Sequence, residues 1–329
     1  MTNVSKAERL PVERNFDKSI AETARQIRDI LKNAPKALRR MTMHLSDAPG
    51  KMIRGKALLV CAINEEGFIP EDALKAAVSV ELIHLATLVH DDVIDLADRR
   101  RGIEALHKKF GQKYAVLCGD WLLCKELELV SMIDSCDSGR EQISRILPPY
   151  ITEVCLGEIL QNQNVHNYRL SEKQYFQTIR GKTAALFEAC FYAGYIFSGE
   201  PESMKERYLT IGNNIGLIFQ LADDCADYEA AVGKTNKPVF SDCTSGVVTL
   251  PLIRALKNDK ELKGRLDDGL TPMQLKEAVE AAGGLDYTHG KIEELYQTTL
   301  AQIEALNTTR EKNGLLEQLL KKAAGKASK

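Results

Sequence analysis

Residues 73–95 read ALKAAVSVELIHLATLVHDDVID, and residues 209–227 read LTIGNNIGLIFQLADDCAD. Both stretches are apolar almost all round before they end in the pattern D-D-x-x-D. A helix that is apolar on every side lies inside a bundle rather than on its surface. The two stretches therefore predict two buried helices, each of which carries three aspartates near its C-terminal end.

Outside these stretches, apolar residues recur at the spacing of amphipathic helices, as in residues 20–31. Glycine and proline divide the chain into segments of roughly 12 to 30 residues, a length that helices fill and strands do not. No polar linker and no fixed repeat interrupts the chain. We predict an all-α fold in a single domain over residues 1–329, with flexible ends at 1–15 and 322–329.

The composition excludes several classes of function. Lysine and arginine number 44 against 46 acidic residues, so the net charge of -2 offers no basic field for nucleic acid. The N-terminal stretch lacks the apolar core of a secretory signal, and the longest uncharged run, residues 208–222, is too short to span a bilayer. The eight cysteines are scattered singly, which favours buried, reduced thiols. We expect a cytoplasmic protein with no transmembrane segment and no nucleic-acid partner.

The two aspartate clusters, residues 91–95 and 223–227, point to a metal-dependent site. With 19 aspartates in 329 residues, random placement yields about 0.06 copies of D-D-x-x-D. Positions i, i+1 and i+4 of a helix span about 100° of arc, so we expect all three carboxylates of a cluster on one side. Such carboxylates repel one another and oppose the helix dipole, and a bound cation relieves both penalties. Oxygen ligands favour Mg²⁺, which also binds substrate phosphates, so two facing clusters would hold a diphosphate.

An ordinary alternative is that each cluster is a solvated helix end or caps the next turn. The pair Asp267 and Asp268 lacks a third aspartate and lies in a glycine-flanked loop, so it shows what an ordinary pair looks like. Cations suited to diphosphate oxygens accompany the clusters. A single cation of this kind is more often a solvated surface charge, so their weight comes from accompanying the aspartates. They are Lys51, Arg54, Arg99, Arg100, Arg101, Lys182, Lys234 and Lys237. His84, two turns before the first cluster, either donates to a phosphate or packs in the core.

Residues 81–102, which contain the first cluster, resemble the first aspartate-rich motif of the trans-isoprenyl diphosphate synthases. Residues 220–227 resemble the second motif of the same family. Further matches occur in the family's order at Gly50-Lys51-x-x-Arg54, Gly157-Glu158-x-x-Gln161, Lys182-Thr183-Ala184 and Thr249-Leu250-Pro251. The resemblance covers roughly residues 15 to 310.

The resemblance implies a helical bundle around a deep central cavity, a homodimer, and head-to-tail condensation of isopentenyl diphosphate with an allylic diphosphate. It implies that about three Mg²⁺ ions are held by Asp91, Asp92, Asp95, Asp223 and Asp224, with Asp227 more peripheral. The allylic site would be completed by Arg100, Lys182, Gln220 and Lys237. The diphosphate of isopentenyl diphosphate would be bound by Lys51, Arg54, His84 and Arg101. The allylic cation would be stabilised by Gln220 and by the main-chain carbonyls of Lys182 and Thr183.

Three departures from the family pattern stand out. Val247 occupies a position where many relatives have a phosphate-binding lysine, and Asn236 and Phe240 stand where glycines are common. None of these changes removes a predicted metal ligand, so we expect an active enzyme.

Product length is predicted from the residue five positions before the first aspartate, which in this family forms part of the cavity floor. That residue is Ala86, and Ile83 and Leu82 lie about one turn deeper. Since none is aromatic, a product of about C30 to C40 is favoured, with a short-chain synthase that stops at geranylgeranyl or farnesyl diphosphate as the alternative.

Two alternatives come from other classes of protein. A terpene cyclase usually has an Asn/Ser/Glu triad as its second metal site, whereas the second cluster here is all aspartate. A non-catalytic subunit of a heteromeric synthase would normally lack one aspartate motif, whereas both are present here.

Overall fold

Helix α4 (Glu71–Ile94) runs through the interior of the protein and ends in the first aspartate cluster. In the computed structural model, which describes residues 15–133, 142–229 and 245–326, 13 of its 24 residues are buried. The buried positions include the eight consecutive residues 76–83, so every side of the helix is covered. This is the arrangement that an all-round apolar sequence predicts.

The other helices of the described residues pack around α4 and around a second long buried helix, α10 (Lys205–Glu229). Before α4 lie α1 (Phe16–Lys32), α2 (Arg39–Ser46) and α3 (Ile53–Cys61). After it come α5 (Leu106–Phe110), α6 (Gln112–Ser131), α7 (Ile143–Gln163), α8 (Glu172–Ile179), α9 (Ala185–Ser198) and α10 (Lys205–Glu229). A π-helical segment, Arg180–Ala184, joins α8 to α9, and a 3-10 turn, Glu202–Met204, precedes α10. The C-terminal part contains α11 (Leu250–Asn258), α12 (Leu262–Asp267), α13 (Pro272–Ala281), α14 (Gly284–Glu304) and α15 (Arg310–Ala323).

Helices make up 76% of the described residues, which confirms the predicted all-α class. Helix α4 lies along α6, α3 and α1, while α10 lies along α9 and α14. Helix α15 continues to Ala323, two residues into the predicted flexible C-terminal end.

One short hairpin departs from the all-helical prediction. Strands β1 (Arg99–Arg100) and β2 (Ile103–Glu104) pair antiparallel just after the first aspartate cluster. The turn residues Arg101 and Gly102 have φ values of 50° and 83°. Positive φ at both positions is what a two-residue hairpin turn of type I′ requires. For an arginine this backbone conformation is strained, and strain of this kind concentrates at functional sites.

Among the described helices, α4 is the one long and apolar enough to cross a membrane by length and composition. However, 67% of its most apolar window is buried inside the protein. A core helix of a globular protein can be equally long and apolar, so length and composition alone are weak evidence for a membrane span.

The cysteines follow the sequence-based expectation only in part. Cys61, Cys118, Cys190 and Cys225 are buried and free, as predicted. The prediction is wrong for two others, which are exposed because they lie on the outer faces of α6 and α7; they are Cys124 and Cys155. Cys136 and Cys243 lie outside the described residues.

Glu126 is an anomaly on the inward face of α6. The residue is only 2% exposed, and its neighbours one turn away on the same face, Leu122 and Val130, are buried apolar side chains. Within the part of the chain that the structure describes, its carboxylate has no hydrogen-bond or ion-pair partner. Burial raises the pKa of Glu126 to about 7.

We expect Glu126→Leu to stabilise the protein, and the gain to grow with pH. Because the pKa of Glu126 is higher in the folded than in the unfolded chain, the wild type loses stability as pH rises from about 4.5 to about 7. The leucine variant has no such proton to lose, so the difference should reach on the order of 2 kcal/mol at pH 8. Urea unfolding at pH 5 and pH 8 measures it, with the exposed Glu128→Leu as control; an equal difference at both pH values would contradict the prediction.

Candidate active site

The π-helical segment Arg180–Ala184 lies between the two aspartate clusters. Lys182 Nζ is 2.7 Å from Glu158 Oε2 of α7, and its ammonium also interacts electrostatically with Asp91 and Asp95 of α4. On the next residue, Thr183 Oγ1 donates to Gln220 Oε1 of α10 at 2.6 Å. Two consecutive residues of one segment therefore connect to the two helices that carry the acidic clusters. Short π-helical turns are frequent at functional sites.

This segment packs so closely against α7 that Gly157 has no room for a side chain. A methyl group at Gly157 would lie 2.0 Å from the backbone nitrogen of Lys182. One at Gly181 would lie 2.8 Å from the carbonyl oxygen of Glu153. Because backbone atoms cannot move aside as a flexible side chain can, the two glycines set the distance between α7 and Lys182.

Gly157→Ala is therefore expected to lower the free energy of unfolding by about 1 to 3 kcal/mol through overpacking, and to displace Lys182. Urea denaturation measures the loss. The matched control is Gly290→Ala in α14, where a methyl group meets no atom within 4 Å. At that site alanine should be neutral or stabilising, since it favours a helix interior more than glycine does. A Gly157→Ala variant as stable as the control would contradict the close packing.

In the first cluster, the three aspartates differ in exposure. Asp92 is 3% exposed and its Oδ1 accepts from Arg100, at 2.7 Å from Nε and 2.5 Å from Nη2. Asp91 is partly buried and Asp95 is exposed. Burial, together with the charges of Glu158 and Asp95, raises the pKa of Asp91 to about 7. Negative charge at this site is thus only partly compensated by the protein itself.

The second cluster repeats this division. Asp224 is 2% exposed, and both of its oxygens have protein donors: Gln220 Nε2 donates to Oδ1 at 2.7 Å, and Tyr175 donates its hydroxyl to Oδ2. Asp223 is exposed and Asp227 is partly buried. A chain of hydrogen bonds thus runs from Thr183 through Gln220 to Asp224 and Tyr175, and it fixes the orientation of the Gln220 amide.

In each cluster the middle carboxylate is turned into the protein, while the first and third are accessible. The expectation that all three carboxylates face one side therefore holds for the first and third only. These two are about 40° apart around the helix, whereas the middle residue is about 100° from the first. No group of three His, Cys, Asp or Glu side chains converges on one metal position among the described residues. A hard cation that takes one or two carboxylates and shares substrate phosphates does not require such a group.

A second polar pocket lies beside the first cluster, at the start of α3. Arg54 Nη1 is 3.2 Å from His84 Nε2, and the guanidinium carbon lies 4.9 Å from the ring centroid of Phe187. Burial first, then the charges of Arg54 and Arg101, hold the pKa of His84 well below its usual value of 6.5. The imidazole is therefore neutral, and its Nε2 accepts from the guanidinium, which can only donate.

Glu81 supports this pocket from below. Its Oε1 accepts from the Gly55 N–H at 2.7 Å, and its charge acts on both Arg54 and Arg101. Arg101 Nη1 donates to the Ala48 carbonyl at 3.3 Å, so its guanidinium lies over the loop before α3. The exposed Lys51 belongs to the same loop. The structure thus brings together three of the four residues predicted to bind one diphosphate, Arg54, His84 and Arg101, and places the fourth, Lys51, on the adjoining loop.

Some sequence-predicted positions lie elsewhere. Lys234 and Lys237, and with them Asn236 and Phe240, fall outside the described residues. Val248 is buried, which places this end of the Gly-Val-Val stretch in the core.

The predicted floor residues lie on α4 below the first cluster, and all three are fully buried. Ala86 and Leu82 belong to one apolar cluster, which is completed by Val78, Leu31 of α1 and Leu122 of α6. Ile83 belongs to the main core instead. The wall below Ala86 is therefore shared by α1, α4 and α6.

Three residues of this site, Glu81, Glu158 and Tyr175, have partners that the sequence did not predict. Glu81 and Glu158 lie inside the stretches that match the family motifs, so their positions are a usable signal. Tyr175 carried no signal, because it reaches Asp224 from 49 residues away in the chain.

Comparison with known proteins identifies the chain. A profile of polyprenyl synthetases matches residues 35–282. The chain belongs to the polyprenyl synthetase family. It is 36% identical to heptaprenyl diphosphate synthase component 2 of Geobacillus stearothermophilus over 219 residues, and this alignment covers 66% of each chain. It is 35% identical over 271 residues to a short chain isoprenyl diphosphate synthase of Methanocaldococcus jannaschii, which is 80% of this chain and 82% of the relative.

The fold of this polyprenyl synthetase agrees with solved structures. Heptaprenyl diphosphate synthase from Staphylococcus aureus superposes with a TM-score of 0.86 at 27% identity, covering 95% of this chain and 99% of the other. A geranylgeranyl pyrophosphate synthase gives a TM-score of 0.85 at 26% identity, covering 96% and 100%. The protein is thus a prenyltransferase of the all-α isoprenoid synthase fold. The relatives make products of different lengths, so similarity alone leaves the product length open.

Proposed function

We propose that this polyprenyl synthetase condenses isopentenyl diphosphate with an allylic diphosphate in a Mg²⁺-dependent reaction. The observation that carries the proposal is the position of Lys182 and Thr183, which connect to both acidic helices beside the Arg54–His84–Arg101 pocket. This arrangement supplies two adjacent diphosphate sites, one acidic for a metal-bound diphosphate and one basic for a direct contact.

The donor set fits Mg²⁺. The accessible carboxylates are all hard oxygen ligands, and burial and neighbouring acidic groups raise the pKa of Asp91, so a cation would relieve uncompensated charge there. We propose that the ions are held mainly by Asp91, Asp95, Asp223 and Asp227. To bind metal as well, Asp224 would have to release Tyr175 or Gln220, and Asp92 would have to share its oxygens with Arg100. When bound, Mg²⁺ would neutralise charge on the leaving diphosphate.

The chain's own residues perform the remaining tasks. Lys182 and Arg100 bind oxygens of the allylic diphosphate, so that the allylic C–O bond breaks and its electron pair leaves with the diphosphate. Gln220, oriented by Thr183 and Asp224, places its amide oxygen toward the resulting cation. The double bond of isopentenyl diphosphate then attacks to form the new C–C bond, and a proton leaves to the released pyrophosphate. The buried apolar wall excludes water, which would otherwise quench the cation.

Product length follows from the wall of α4. On side-chain size alone, Leu82, Ile83 and Ala86 favour about C30 to C40, with C20 as the alternative. The buried carboxylate of Glu126 on α6 favours the shorter product.

We further propose a homodimer through the outer face of α6. Tyr114, Leu117 and Leu127 are each more than half exposed on that helix, which is unusual for large apolar side chains on a monomer. Relatives named heptaprenyl diphosphate synthase component 2 make a second, different subunit the alternative occupant of this face. Light scattering of the purified protein distinguishes the two: a molar mass of two chains supports the homodimer, and a single chain contradicts it.

The function is tested by incubating the protein with farnesyl diphosphate, labelled isopentenyl diphosphate and Mg²⁺, and by measuring products by mass spectrometry. Products longer than C15 that disappear with a chelator would support the proposal. Pyrophosphate released without isopentenyl diphosphate would indicate a cyclase or a hydrolase instead. No elongation from any allylic primer would favour a subunit that requires a partner.

A further inference from the structure

We propose that Glu126 limits product length by placing a carboxylate on the wall along which the prenyl chain grows. This inference rests on the proposed function and names a specificity-determining residue for it. Glu126 lies on α6, whereas the predicted floor residues all lie on α4.

The depth of Glu126 follows from how α6 packs against α4. Near the top, a methyl group on Gly119 would lie 2.3 Å from His90 Nε2, so these two residues are level. Near the bottom, Lys75 Nζ donates to the Met132 carbonyl at 3.5 Å, so the helices run antiparallel. Seven residues down from Gly119 is Glu126, and seven residues back from His90 is Ile83. Glu126 is therefore level with Ile83 and Leu82.

The direction in which Glu126 faces follows from its neighbours on the helix. Leu122, one turn earlier on the same face, packs with Leu82 and Ala86. The exposed side chains of Leu117 and Cys124 lie on the opposite face of α6. Glu126 is thus directed toward α4 and away from solvent, at the level where a growing chain meets the floor.

A carboxylate at this depth obstructs an apolar chain. Glu126 is 2% exposed and has no hydrogen-bond or ion-pair partner within the described residues, so any chain that covers it removes its remaining hydration without replacing it. Leucine or alanine at the same position would instead gain from the contact.

The depth predicts a length. Ile83 is eight residues below Asp91, which is about 12 Å along the helix. An isoprene unit adds four main-chain carbons, or about 5 Å at ordinary C–C bond lengths. Counted from the level of Asp91, the third unit of farnesyl diphosphate spans about 10 to 15 Å and so lies against Glu126. A fourth unit pushes the chain past the carboxylate, and a fifth would push it further. We expect a C20 product to accumulate, although the small side chain of Ala86 alone would allow a longer one.

The test compares product distributions of the full-length protein and its variants with farnesyl diphosphate, labelled isopentenyl diphosphate and Mg²⁺. Glu126→Ala and Glu126→Leu should each shift the main product to C25 or longer, because both remove the carboxylate and leucine keeps much of its volume. Glu126→Gln, which keeps a polar group, and the exposed control Glu128→Ala should keep the wild-type length. Unchanged distributions in both Glu126→Ala and Glu126→Leu would overturn the inference while leaving the proposed function intact.

A second measurement needs only the wild type and one variant. The wild type should extend farnesyl diphosphate at least tenfold more efficiently than geranylgeranyl diphosphate, and Glu126→Ala should abolish that preference. Equal use of both primers by the wild type would overturn the inference. No elongation of either primer would overturn the proposed function, and the inference would fall with it.

Discussion

Asp91→Ala is expected to lower the rate of chain elongation by about 10³-fold or more, while the helical fold stays intact. Asp91 is the first carboxylate of the cluster on α4, and it lies within electrostatic reach of Lys182, Glu158 and Asp95. Its removal takes a metal ligand from one side of the proposed diphosphate site. Steady-state assays with farnesyl and isopentenyl diphosphates measure the loss.

In the absence of metal, Asp91→Ala should have a higher free energy of unfolding than the wild type. This measurement separates a loss of function from a loss of folding. Because burial and Glu158 raise the pKa of Asp91 to about 7, its ionised form destabilises the folded chain above that pH. Alanine should therefore add about 1 to 2 kcal/mol at pH 8, after allowance for partial exposure, and the gain should fade as pH decreases from 7 toward 4. Asp268→Ala, in the ordinary exposed pair, should change neither property. An Asp91→Ala enzyme that keeps a tenth of wild-type turnover would contradict the role of the first cluster.

The sequence carries enough information for the frame of the site, because its strongest signals are local. Apolar residues on every side of 73–89 indicate a buried helix whatever the neighbours are, and the aspartate spacing is read directly along the chain. The motifs that contain Arg54 and His84 are read along the chain in the same way.

What the sequence leaves undetermined depends on contacts between distant segments. Asp224 is turned inward because Tyr175 of α8 donates to it, and no periodicity in residues 223–227 records that partner. The strained hairpin at Arg101 was missed because its strands have only two residues each. Glu126 reads as an ordinary charged residue of an amphipathic helix, and only the packing of α6 on α4 shows that it is buried.

The second large effect is expected from Lys182→Ala, which should lower the elongation rate by about 10²- to 10³-fold and weaken binding of the allylic diphosphate. Burial alone would lower the pKa of Lys182, but Glu158, Asp91 and Asp95 outweigh it and raise the pKa above its usual value. The ammonium is therefore charged throughout the working pH range. Its interactions with Asp91 and Asp95 direct it toward the first cluster. Calorimetric titration with farnesyl diphosphate and Mg²⁺ measures the loss of binding directly.

Two further variants separate the charge of Lys182 from the geometry of the π-helical segment. Lys182→Arg keeps the charge and should retain more activity than Lys182→Ala, although its planar guanidinium cannot reproduce the single contact with Glu158. Lys173→Ala, at an exposed position on α8, should leave both rate and binding unchanged. Lys182→Ala removes only a side chain, so it leaves the backbone of the π-helical segment and the Thr183–Gln220 hydrogen bond in place. The KM for isopentenyl diphosphate, which binds in the other pocket, should therefore stay within about threefold of wild type. A large rise in that KM with an unchanged kcat would instead assign Lys182 to the Arg54–His84–Arg101 pocket.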